Sequence, residues 1–212
     1  MLATTAIGAV LLTSALAKPL HRRHGHGEEQ ACEPIVDVAK ATWDRQCYYP
    51  VATSDFDLED YLGRWYQVAG TRAPFTAGCT CIYAEYGLND DGTVSVFNSC
   101  QIEGEGGEPQ EIPISGTATP ANSAYGDDGV FRVQLGEQPP AECPGPNYIV
   151  QEVDYKRGWA LVQASNFSTL FVLSREQNRT EKEIQKWLDL AEELGTNLDD
   201  VIRPNQTGCA FT

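Results

Sequence analysis

The chain has 212 residues, 42% of them hydrophobic, enough for one globular domain with a sizeable core plus short processing segments. Asp and Glu number 30 against 15 Lys and Arg, a formal net charge of −15. Such a surface repels phosphate backbones and anionic lipid, which argues against nucleic acid and peripheral membrane binding.

The first element, "TTAIGAVLLTSALA", is an uncharged apolar run ending in Ala15-Leu16-Ala17, an A-x-A cleavage signature. It is too short to span a bilayer and reads as a signal peptide over residues 1–17. No later apolar run reaches membrane-spanning length and no apolar tail closes the chain, so a secreted, extracellular protein without a stable membrane anchor is expected. A polar leader and N-terminal extension follow over 18–46. Arg22-Arg23 has the form of a dibasic processing site, and an uncleaved leader reads equally well, so the mature chain should start at Lys18 or at His24. His21, His24 and His26 lack an acidic or cysteine partner at fixed spacing, and no metal site is expected. The stretch "CEPIVDVAKATWDRQC" is compatible with a short helix.

The seven cysteines are Cys32, Cys47, Cys79, Cys81, Cys100, Cys143 and Cys209. In an exported protein the default reading is disulfides, and three bridges leave one thiol over. Cys79-Thr80-Cys81 has the wrong spacing for a zinc knuckle or a thioredoxin-type pair. Asn166, Asn178 and Asn205 open sequons and are candidate glycosylation sites.

From Gly63 to Arg175, β-branched and aromatic runs alternate with turn residues. Strands are predicted near 64–72, 80–88, 93–100, 112–119, 129–135, 147–154, 158–165 and 169–175. "NDDG" and "DYKRG" mark tight turns, while "EGEGGEPQ" and "EQPPAECPGPN" are Gly/Pro-rich loops. The period then changes. "TEKEIQKWLDLAEELG" places Ile184, Trp187, Leu188, Ala191 and Leu194 at helical spacing, with a Thr180/Glu183 capping box and Gly195 as the stop. Closing about eight antiparallel strands into an up-and-down barrel removes both edges; a β-sandwich is the rival, and composition does not separate them.

Three motifs separate them. "YLGRWYQVAG" resembles the first signature of the lipocalin family, the G-x-W that begins its first strand. "VDYKRGWALV" resembles the family's T-D-Y turn, with Val153 in place of Thr, and in "FVLSREQN" Arg175 falls at the family's arginine near the end of the last barrel strand. The detail is most similar to the apolipoprotein D and bacterial outer-membrane lipocalin branch, over about residues 47–209. The resemblance implies an all-β fold, an eight-stranded antiparallel up-and-down barrel with one amphipathic helix packed outside. It implies a domain over 47–212, with barrel 63–175, helix 180–194 and C-terminal tail 196–212.

In such a barrel Gly63 turns the chain into the first strand, Trp65 plugs the floor and Arg175 lies over its indole. If Trp65 faces inward, so do Gln67 and Ala69. The resemblance turns Ala84 and Tyr86 inward, hence Cys79 and Cys81 outward. Pairing Leu88 with Thr93 places Phe97 inside, opposite Ala84. Phe131, Tyr148, Trp159 and Phe171 are further wall candidates. The resemblance pairs Cys81 with Cys209 and leaves Cys79 for Cys100; Cys81–Cys100 with Cys79–Cys209 is the rival. Cys47 lacks the family's usual partner, leaving Cys143, Cys32 or another. The expected function is binding or carrying a small hydrophobic molecule such as a lipid, sterol or pigment, without a cofactor. The alternatives are protein binding through the rim loops 101–111 and 136–147, for example protease inhibition, and an isomerase using a free cysteine. No Ser-His-Asp or Cys-His pattern supports an enzyme. The oligomeric state and the ligand's identity are not legible.

Overall fold

The computed structural model describes residues 41–72, 76–139 and 141–211, and every element below lies in the unit formed by residues 37–212. The signal peptide, the dibasic site, the three leader histidines and Cys32 lie outside the described residues.

Strands β1 (Ala41–Trp43) and β2 (Tyr48–Pro50) form an N-terminal hairpin. A short helix was compatible with 32–47, but the described part is this hairpin. The Asp44 carboxylate accepts from the Gln46 and Cys47 amides at 2.9 and 2.8 Å, and Arg45 takes a φ of +80°, which closes a turn in place of a helix. Helix α1 (Leu58–Tyr61) follows, capped by the Asp57 side chain on Asp60 N.

Eight strands come next: β3 (Gly63–Thr71), β4 (Thr80–Leu88), β5 (Val94–Glu103), β6 (Pro109–Pro120), β7 (Val130–Leu135), β8 (Tyr148–Asp154), β9 (Trp159–Gln163) and β10 (Leu170–Ser174). They pair antiparallel in chain order, and β10 pairs back onto β3, so the sheet closes into a barrel. The β5–β6 hairpin is longer than its sequence pattern, with pairing that runs on to Glu103 and Pro109. Only the turn at 104–108 interrupts it, where Gly106 and Gly107 take positive φ.

Helix α2 (Glu181–Glu193) carries the capping box between Thr180 and Glu183 and buries Ile184, Trp187, Leu188 and Ala191. These pack with Val68, Leu161, Leu170 and Val172, on the outer face of β3, β9 and β10. The inner face holds a second apolar cluster that includes Trp65, Tyr86, Val96, Phe131 and Val150.

The chain after α2 enters the barrel wall. β3 and β4 pair only between 63–66 and 83–86. Above that point β11 (Val201–Ile202) pairs with Thr71 and Gly70 of β3. Gln206 Nε2 then donates to Gln67 O and Ile82 O at 2.9 and 2.8 Å, spanning the two parted strands. Disulfides join Cys81 to Cys209, Cys79 to Cys100 and Cys47 to Cys143.

Candidate functional site

The floor of the barrel is built by the stretch 57–65. Gly63 has a φ of +86°, a conformation that lets the chain leave α1 and start β3 at once. Trp65 is fully buried, and its Nε1 donates to Tyr61 O at 2.8 Å. The Arg175 guanidinium lies 3.8 Å from the centre of the Trp65 ring. Its nitrogens donate to three carbonyls of the same segment, Arg64 O at 2.7 Å, Asp60 O at 2.7 Å and Leu62 O at 2.8 Å. One side chain therefore stacks on the plug and satisfies the end of α1. Tyr155, in the β8–β9 turn, ties down the start of that helix: its hydroxyl accepts from Asp57 N at 2.7 Å and donates to Asp57 O at 2.8 Å. At Gly158, in the same turn, φ is +68°, and a Cβ would lie 2.9 Å from Arg175 Cβ, so any side chain there would push the arginine off the floor.

Above the floor lies a cavity of about 410 Å³. Of the expected wall residues, Gln67, Ala84, Tyr86, Phe131, Tyr148 and Phe171 line it. Three phenols meet at one place. Tyr61 Oη is 2.7 Å from Tyr148 Oη, and Tyr86 Oη is 2.9 Å from Tyr148 Oη. Burial pushes the Tyr86 phenol up to about 12 and those of Tyr61 and Tyr148 well above the usual tyrosine range, so all three stay protonated.

Four placements differ from the sequence reading. Phe97 is outside: Leu88 pairs with Val94 rather than Thr93, because Asn89 N bonds Thr93 O within the turn. That one-residue shift sets Phe97 opposite the exposed Glu85. Ala69 belongs to the cluster under α2, because Val68 is an unpaired extra residue in β3 against β10 and flips the alternation beyond it. Trp159 also faces α2, stacked on Trp187 with centroids 5.2 Å apart. Cys79 bonds to Cys100, a cavity-lining residue, rather than turning outward; a bulge at Cys81, whose φ is +53°, breaks the parity between them.

The lining also includes Leu58, Tyr61, Val94, Val96, Asn98 and Ala118, which the sequence reading missed. Val94, Val96 and Asn98 follow once the β4–β5 register is known. The Asp57 cap was the available signal for α1, and with it Tyr61. The sequon residues Asn166, Asn178 and Asn205 are all exposed. The Asn166 Oδ1 accepts from Tyr48 N at 2.8 Å, and the Asn205 Oδ1 accepts from Thr207 N at 3.1 Å.

Residues 56–206 match the family model of the lipocalin-like domain. The chain belongs to the lipocalin-like family. Outer membrane lipoprotein Blc of Vibrio cholerae serotype O1 is 32% identical over 157 residues, covering 72% of this chain and 84% of that protein. Apolipoprotein D of Cavia porcellus is 27% identical over 171 residues, covering 77% and 84%. Among solved structures, lobster apocrustacyanin A1 superposes with a TM-score of 0.53 at 19% identity, covering 72% of this chain and 81% of that one. Insecticyanin from the tobacco hornworm Manduca sexta gives a TM-score of 0.53 at 18% identity, covering 75% and 84%. At these identities the two structures speak for the fold alone. In this lipocalin-like chain the G-x-W segment, the turn around Tyr155 and Arg175 are thus one assembly, brought together at the floor.

Proposed function

We propose that this lipocalin-like protein binds or carries a small hydrophobic molecule in its barrel, outside the cell. The observation that carries this reading is the preformed cavity of about 410 Å³, closed below by Trp65 and Arg175 and walled by Val94, Val96, Ala118, Phe131 and Phe171. That volume falls in the range of roughly 300–1,000 Å³ typical of small-molecule sites. Family membership and relatives named as lipoproteins support it. No His, Lys, Arg, Asp or Glu is among the described lining residues, and Cys100 is in a disulfide. The free cysteine that an isomerase reading needs is thus not among the described lining residues, which favours binding over catalysis. The apolar leader with its A-x-A end and the three disulfides support export.

Fluorescence titration with N-phenyl-1-naphthylamine, an uncharged apolar probe, tests the reading. The expected result is saturable binding that is lost in Ala118→Trp, which fills the cavity from a wall position. No enhancement with the wild type, or equal binding by the filled variant, overturns it. Native mass spectrometry of the secreted protein identifies a co-purified ligand directly.

A further inference from the structure

Among the polar side chains that line the cavity, one group has a specific arrangement. Tyr148 stands between Tyr61 and Tyr86 in a chain of two hydrogen bonds. Three phenols bring three protons, and two bonds use two of them. Whichever way the two bonds run, one of the three hydroxyls keeps a proton with no protein partner among the described residues. A second polar group stands on the wall. Asn98 pairs with inward-facing Ala84 on the neighbouring strand and lines the cavity, and its Oδ1 is buried with no hydrogen-bond partner. A buried donor and a buried acceptor left open are costly, unless a ligand satisfies them.

The charges are as informative. Among the described residues the lining contains no cation. The Arg175 guanidinium lies below the plug, with bonds to three backbone carbonyls. Arg64 is turned out, 2.6 Å from Glu85. A carboxylate pushed to the floor would have Arg175 only across the indole, with no direct ion pair, and a single spare hydroxyl, which does not replace its water. A ketone, ester or hydroxyl oxygen needs only one donor, and the phenol chain has one.

We propose that the cavity selects an uncharged ligand with an oxygen at its buried end, held by the Tyr61–Tyr148–Tyr86 chain, and rejects a carboxylate of the same shape. This rests on the reading that the barrel binds a small hydrophobic molecule. Ligands with two identical ends test it, since one end reaches the floor whichever way they enter. The α,ω-diol of dodecane, the dimethyl ester of the α,ω-diacid and the diacid itself are compared at neutral pH as competitors of N-phenyl-1-naphthylamine on the full chain. The diol and diester are expected to displace the probe at concentrations about tenfold or more below the diacid. Equal or better competition by the diacid overturns the inference, and this arm needs no variant. In a second arm Tyr61→Phe, Tyr86→Phe and Tyr148→Phe are combined. Removing both partners of a hydrogen bond while keeping shape is close to neutral for folding. The expected result, read against the probe affinity measured on the same variant, is an approximately tenfold loss for diol and diester relative to the probe. Unchanged competition by both overturns the inference while leaving the cavity reading intact. Failure of the probe to bind the wild type overturns the cavity reading and this inference with it.

Discussion

Trp65 and Arg175 show how much of this protein rests on single side chains. The indole is fully buried, and the guanidinium stacked on it is also the hydrogen-bond partner for the end of α1. Trp65→Ala should cost roughly 3–5 kcal/mol in urea unfolding, since both a large buried volume and the stacking surface are lost. Arg175→Lys keeps the charge but has neither the flat face nor the fork that reaches three carbonyls, so it should be destabilising too, by less than Trp65→Ala. A melting curve for Trp65→Ala that overlays wild type would remove the floor from the account. Asp44 acts at the same scale, outside the barrel. Its carboxylate accepts from Cys47 N, Tyr49 Oη, Gln46 N and Tyr125 Oη. Those bonds, the Cys47 amide first, hold its carboxyl down at about 2, against the ordinary 3.8. A depressed carboxyl stabilises the fold fully above its unfolded value, and the benefit is lost as pH falls through the folded one. Asp44→Asn should therefore be less stable than wild type at pH 7, with the gap closing between about pH 4 and pH 2. A gap that stayed constant over that window in urea midpoints would show that the charge is irrelevant.

At the scale of elements, the strands, helix and barrel were legible because periodicity and turn chemistry report on whole segments. The eight predicted runs coincide with β3 to β10, and the helix with its capping box is α2. Side-chain direction was less legible, because it depends on single extra residues. One at Val68 reverses Ala69, and a one-residue shift in the β4–β5 turn reverses Phe97. Trp159 failed for another reason: every residue of β9 is buried, so both faces of the strand are apolar and period-two alternation carries no information. The tail bridges the parted ends of β3 and β4, through β11 and the Gln206 side chain. Nothing local in "RPNQTGC" reports that, because the vacancy is created by strands more than a hundred residues earlier. The tail's role is testable by amide exchange. The Arg72 and Cys81 amides bond Asp200 O and Asn205 O. Cys209→Ser should accelerate exchange at both, leaving the paired centre of β5–β6 protected. Gln206→Leu, which strips two buried carbonyls of their donor, should cost roughly 1–3 kcal/mol. Uniform acceleration across the barrel in Cys209→Ser would mean that the tail is not a separate unit.

At the scale of the whole molecule, closure and cavity are one property. The first and last barrel strands pair, and the cavity is walled by side chains from α1 and from β3 to β8 and β10. A ligand that fills this space touches elements far apart in sequence and is excluded from the unfolded chain, so its binding energy adds to the stability of the entire barrel. The size of the effect follows from mass action. At a free ligand concentration one hundred times the Kd, stabilisation is about 2.7 kcal/mol. For a domain of this length that corresponds to a rise in Tm of roughly 5–11 °C. N-phenyl-1-naphthylamine at saturation should raise the Tm of the wild type by that amount, in one transition, and leave Ala118→Trp unmoved. The floor variant Trp65→Ala should start from a lower Tm and show a smaller rise at the same probe concentration, because an opened floor admits water to the site. A probe that binds by fluorescence yet leaves Tm unchanged at high saturation would have to bind folded and unfolded chains alike. That result would place it on an outer apolar surface, not inside the barrel.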